Sequence, residues 1–307
     1  MKKLRLMTCV LTAAAMILFA QSNDLSGPFD PCLGQKPPGK TPEVFAPGVV
    51  SKEGDQGRLF VSPDGLEILY WERDPSNGKM AIISLRSAGG AWSGPSVLPF
   101  SLEYINNEPC LSSDGRKLFF VSNRPRGDSG EAEKYPSIWV SEKVQGEWSQ
   151  PQRISAFDGM EIVVQPYASS DGSLLVMGQS GGARSLYFSQ YSENGFSTPV
   201  KVGEKVFTGQ ISGPCLSPDG RTLILHARRE GGYGDWDLYA SFLDEAGNWG
   251  GLRNLGETIN TADAEAGASF SPDGRYLFFS RRGDIYWFST MVIEELRLKE
   301  ARQGVSR

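Results

Sequence analysis

Arginines recur at one kind of place in this sequence. Arg73, Arg124, Arg228 with Arg229, and Arg281 with Arg282 each follow or close a β-rich run. Acidic or amide side chains stand ahead of such runs at Asp55, Glu108, Gln165 and Glu265. A guanidinium fork matches a carboxylate, a phosphate or sugar oxygens. The same charges could equally tie neighbouring repeats together. Tyr104, Tyr135, Tyr233 and Trp236 add aromatic faces suited to sugars or protein hot spots, or to local loop packing. Carboxylates such as Glu108 and Glu265 would serve glycoside hydrolysis if fixed at the right separation. Asp235 and Asp237 alternate as a cation site would require, but calcium wants more oxygens than these two supply. The lone histidine, His226, lies inside the strand-like run Leu223–Ala227, and no Gly-x-Ser-x-Gly elbow accompanies it. It reads as a core or interface residue, and no cofactor motif is present.

Those residues are spaced by a repeat. One phrase occurs five times: Val61-Ser-Pro-Asp64-Gly65, Leu111-Ser-Ser-Asp114-Gly115, Ala168-Ser-Ser-Asp171-Gly172, Leu216-Ser-Pro-Asp219-Gly220 and Phe270-Ser-Pro-Asp273-Gly274. The aspartates are 50, 57, 48 and 54 residues apart. Pro pre-sets φ for a turn, Asp bonds the local backbone, and Gly takes the left-handed conformation that restarts the chain. A β-rich run follows each turn, such as Lys117-Leu-Phe-Phe-Val121 and Tyr276-Leu-Phe-Phe279. A third strand follows, then in four units an aromatic in a turn (Trp92, Trp148, Phe196, Trp249) and a fourth strand.

The fifth unit stops at three strands. Pro42-Glu-Val-Phe45, ahead of the first unit, has the form of the missing one. Four-stranded units of this period predict an all-β, five-bladed β-propeller of antiparallel blades over residues 42–290. The N-terminal strand completes the last blade and closes the ring, leaving no exposed sheet edge. If the first strand of each blade runs downward, the Ser-Pro-Asp-Gly turns lie on the bottom. The variable loops then lie on top, where a rigid scaffold most often carries binding. The expected top-rim ligand residues are Arg73, Glu108, Arg124, Gln165, Arg228, Tyr233, Trp236, Glu265 and Arg282.

The repeated Ser-Pro-Asp-Gly-Arg-x-Leu-Phe-Phe pattern resembles the TolB-type, WD40-like β-propeller family. Ser122-Asn-Arg-Pro125 and Gly234-Asp-Trp-Asp-Leu-Tyr239 are similar to phrases common there. The resemblance covers about residues 42–290 and implies an exported binding or scaffold protein. TolB itself has six blades and a separate N-terminal domain, so its partners do not transfer.

Met1–Arg5 is basic, Leu6–Ala20 is apolar, and polar residues follow. Residues 1–22 thus have the layout of a secretory signal peptide. Its loss takes the basic count from 31 to 28 against 36 acids, a charge of −8. An acidic chain does not suit nucleic acid, which needs a basic surface. No second segment is expected to span a membrane. Residues 23–41, rich in Gly and Pro, read as a flexible lead-in, and residues 291–307 as a tail with a short helix. Cys32, Cys110 and Cys215 are an odd number, and the last two occupy matching repeat positions as small apolar groups. Two functional classes follow: a noncatalytic exported propeller binding a protein or envelope glycan, and a hydrolytic propeller using carboxylates.

Overall fold

The computed structural model describes residues 32–125, 130–180, 183–203, 206–207 and 209–305. The proposed leader lies outside them. Among the described residues five antiparallel sheets of four or more strands follow one another along the chain, with a two-stranded ribbon of Tyr191–Ser192 and Gly195–Phe196 after the third strand of the third. The first three strands of the first are Asp55–Val61, Glu67–Arg73 and Met80–Ala88, with Ser96–Val97 on the outside. The second runs Asn106–Leu111, Lys117–Ser122, Ser137–Val144, Gln152–Arg153. The third runs Ile162–Ala168, Leu174–Ser180, Ala183–Ser189, Val200–Lys201. The fourth runs Gln210–Leu216, Thr222–Arg228, Asp237–Phe242, Arg253–Asn254.

The fifth sheet has Ala266–Phe270, Tyr276–Arg281 and Asp284–Ser289, and its outer strand is Glu43–Val44. Glu43 sits opposite Trp287 and Val44 opposite Tyr286. The ring is therefore a five-bladed propeller closed by the N-terminal strand. Phe45 locks that closure. It is fully buried, with its ring centroid 5.1 Å from both Phe278 and Trp287 in edge-on packing.

The turns explain why the repeat is spelled as it is. In all five, the seryl hydroxyl donates to the aspartate at 2.5–2.6 Å. The backbone N–H after the turn glycine donates to the same carboxylate at 2.9–3.1 Å. Each glycine has φ between +67° and +83°, which a side chain resists. The turn is thus stabilised by its own residues before any tertiary contact forms.

Apolar side chains gather in wedges between adjacent blades rather than in one central core. Phe196 of the third blade meets Phe119 of the second edge-on, and Trp92, Trp148 and Trp249 are partly buried against the same wedges. Polar links join every neighbouring pair. Lys143 of the second blade bonds Glu67 of the first, Ser113 the carbonyl of Ser170, Gln165 the N–H of Gly213, Glu265 N–H the carbonyl of Trp236, and Gln56 N–H the carbonyl of Gly283.

From residue 32 onward the stretch read as a flexible lead-in is packed against the fifth blade. Cys32 is buried, the Gln35 side chain bonds Val44 and Ala46 backbone groups, and Gly39 accepts from Ser289 N–H. The C-terminal segment forms a helix, Met291–Val305, longer than the short one expected. Ile293 is buried on its inner side, while Lys40–Glu295 and Arg253–Glu300 ion pairs fasten it to the propeller. Among the described residues no helix is long and apolar enough to cross a membrane.

Candidate functional site

The innermost strand of every blade carries the same irregularity. Six residues before each turn aspartate stand Arg58, Glu108, Gln165, Gly213 and Gly267. All five have positive φ, from +41° to +63°, and the strand register shifts at each. Such a bulge turns a side chain out of the pleat. Here the bulges ring the central channel.

Arg58 fills that channel. Its side chain is fully buried. Nη1 donates to Glu108 Oε2 at 3.1 Å, and Nη2 donates to the carbonyls of Pro166 at 2.9 Å and Pro214 at 3.2 Å. One side chain of the first blade thereby reaches the second, third and fourth. Glycine at 213 and 267 makes room. A Cβ on Gly213 would lie 2.4 Å from the His226 ring, and one on Gly267 would lie 3.3 Å from the Arg58 backbone. Burial and the nearby Arg58 charge pull His226 down to about 3, so it stays neutral at physiological pH. Trp236 packs edge-on to it at 5.2 Å. His226 is thus a core residue.

Above the plug, on the face of the variable loops, lies a cavity of about 380 Å³. It extends from Met80 of the first blade, past Asn107 and Glu108 of the second and Val164 and Gln165 of the third, to Ser212 of the fourth. Ile105, Val121 and Pro136 add apolar wall, and Glu133, Lys134 and Arg184 carry charge there. A volume of this order suits a small molecule or a few residues of a partner.

Of the nine expected rim residues, two line this cavity: Glu108 and Gln165. Glu108 is held by Arg58, and Gln165 accepts from Ser212 and from Gly213 N–H at 2.7 Å. The others serve their own blades. Arg73 pairs with Asp55 at 3.0 Å. Arg124 is buried among Phe100, Tyr104, Phe120 and Trp139 and donates to the Phe100 carbonyl. Burial pulls it down to about 10, against the opposing charge of Tyr104 and Glu103.

Arg228 pairs with Asp235 and lies 5.3 Å from the Trp236 ring. Glu265 is fully buried and accepts from Thr261 at 2.7 Å and Arg281 at 2.7 Å. Burial nonetheless holds it above the usual carboxylate range. Arg282 pairs with Asp263 at 2.6 Å. Tyr233 is exposed, and its N–H donates to Asp237 at 2.7 Å. Asp237 also accepts from Gly234 N–H and Asn254, so the Gly-Asp-Trp-Asp phrase shapes its own loop. Asp235 pairs with Arg228, so both aspartates of the phrase bond groups of their own blade. These rim pairs join the first and second strands of one blade, or a loop to its own blade, because those backbones are hydrogen-bonded neighbours.

Arg58, Lys134 and Arg184 lie outside the expected rim set. Arg58 is legible as one column of the repeat alignment, six positions before the aspartate, where Glu108 and Gln165 also stand. Arg184 stands at the start of the third strand of the only blade lacking an arginine after its second.

No protein-family model matches the chain, and no curated protein matches it. Solved structures do match. The putative TolB from Agrobacterium tumefaciens shares 17% identity at a TM-score of 0.49, over 75% of this chain and 71% of that one. A gluconolactonase from Xanthomonas campestris shares 12% at 0.50, over 82% and 94%. A puromycin hydrolase shares 17% at 0.40, over 76% of this chain but only 36% of its own. At these identities the likeness is one of fold: the protein is a β-propeller, an architecture it shares with the gluconolactonase.

Proposed function

We propose that the protein is an exported, noncatalytic propeller that holds a protein or cell-envelope component against its top face. The observation that carries this reading is the state of the carboxylates. Glu108, the inner-strand acid beside the cavity, is neutralised by Arg58, and Glu265 is bonded to Arg281 and does not line the cavity. A hydrolase of the paired-carboxylate kind needs one acid and one base facing the same bond. The cavity instead opens among loops that differ from blade to blade, on a scaffold whose expected rim arginines Arg73, Arg228 and Arg282 are already paired with acids. The leader-like start and the likeness of the repeat to TolB-type propellers support export.

The test is capture from an envelope fraction with the purified protein, alongside a glycan array. Capture should survive Glu108→Gln and Glu265→Gln. Turnover of chromogenic glycosides or lactones that disappears in either variant would replace this reading with a hydrolytic one.

A further inference from the structure

We propose that the top-face cavity is a specific site for a small organic carboxylate that also carries a hydroxyl or amide donor. The proposal rests on the binding reading above and names the ligand class of that face. Three observations converge on it.

The first is the charge left over at the cavity. Of its two acids, Glu108 is committed to Arg58 and Glu133 is also engaged. Of its two bases, Lys134 and Arg184 have no carboxylate partner among the described residues, and both are exposed at the mouth. The Lys134 ammonium lies over the Tyr135 ring, 5.2 Å from its centroid. Elsewhere on this face Arg73, Arg228, Arg281 and Arg282 are paired with acids of their own blades and Arg124 is buried among aromatic rings, so these two bases set the local sign. An arginine and a lysine from different blades can grip one carboxylate, the arginine through its planar fork.

The second is an unmet polar group in the wall. Among the described residues Asn107 Oδ1 is buried without a hydrogen-bond partner, and its Nδ2 donates to the Met80 sulfur at 3.4 Å. Leaving a buried amide oxygen unmet is costly, so a ligand that donates a hydrogen bond there gains over one that does not. The third is the remainder of the wall. Ile105, Val121 and Val164 offer an aliphatic surface and no aromatic among the described residues lines the cavity, which favours a compact acid over a stacked neutral sugar.

The test uses the whole protein and three carboxylates, N-acetylglutamate, galacturonate and malate, against the neutral N-acetylglutamine and galactose, by calorimetry and ligand-observed NMR. At least one carboxylate should bind about tenfold tighter than its neutral counterpart, the value of one charge-assisted contact. Arg184→Gln and Lys134→Gln, both at exposed positions, should each weaken it by a similar factor without lowering the melting midpoint. Asn107→Leu should weaken it with the charge intact. Equal binding of acid and neutral partner, or no binding of any of the three acids at millimolar concentration, overturns the site. If envelope capture persists in that case, the inference falls alone. If a bound acid is converted to product, the noncatalytic reading falls and the site stands.

Discussion

Glu67 is only 2% exposed and still keeps its charge, because four donors converge on it. Ser84 donates at 2.9 Å, Arg86 at 3.1 Å and Trp148 at 3.2 Å to one oxygen, and Lys143 at 2.6 Å to the other. Burial opposes ionisation, but these partners outweigh it and hold the carboxyl below its ordinary 4.5. A depressed folded value means that the contribution is fully present above 4.5 and is lost as pH falls through the folded value. Glu67→Gln should cost about 3 kcal/mol at neutral pH, since it strands Lys143 beside a neutral group and leaves Arg86 only its second partner, Glu147. In urea denaturation at pH 7 and at pH 3, the gap between variant and wild type should close at the lower pH. His226 acts in a different window. Its folded value of about 3 lies below the ordinary 6.5, so the unfolded chain takes up a proton that the folded chain refuses. Stability should fall by up to about 1.4 kcal/mol per pH unit on acidification below 6.5. His226→Phe should flatten that slope between pH 6.5 and 5, where Glu67 does not yet titrate. The sequence marks His226 as a core residue through its apolar neighbours. It holds no sign of the cluster on Glu67, two of whose partners come from the next blade.

The inner strand is the element that decides the centre of the ring. Its bulge places Arg58 across the channel, and the cost of burying that charge is met by Glu108 and two carbonyls. Arg58→Met should destabilise by about 3–5 kcal/mol, because it leaves Glu108 without its partner. The double variant Arg58→Met, Glu108→Met should recover much of that loss, since an apolar pair replaces an ionic one. Chemical denaturation of the two singles and the double gives the coupling directly. Gly213 tests the same strand by size. Its φ of +62°, with the His226 ring 2.4 Å from the place a Cβ would take, leaves no room for alanine. Gly213→Ala should cost about 2–4 kcal/mol by calorimetry, well beyond the roughly 1 kcal/mol of an ordinary left-handed position. The turns at the other end of this strand are legible because serine, aspartate and glycine complete their bonding within five residues. The bulge itself is not, because its residues share a position six before the aspartate but differ in type from blade to blade, so their common backbone conformation has no signature in residue type.

For the whole molecule, stability depends on closing the circle. Phe45 sits in the fifth blade but is reached from the opposite end of the chain, so its packing stabilises the ring by joining residues over 230 positions apart. Phe45→Ala should cost about 3–5 kcal/mol, and the melting transition should broaden as the fifth blade frays from the first. A single sharp transition at the wild-type midpoint would show that closure contributes little. The amino-acid sequence by itself determined the repeat, the five turns, the four strands of each blade and the donated strand that completes the last. Each of those rests on local bonding or on a period of alternating burial, and both are written along the chain. The tertiary structure alone decided that the rim arginines turn to their own blades, that Arg58 seals the channel, and that Lys134 and Arg184 are left facing the cavity. Those outcomes depend on which side chains meet across the axis of a ring, where residues about 50 to 150 positions apart come within a few ångströms of one another.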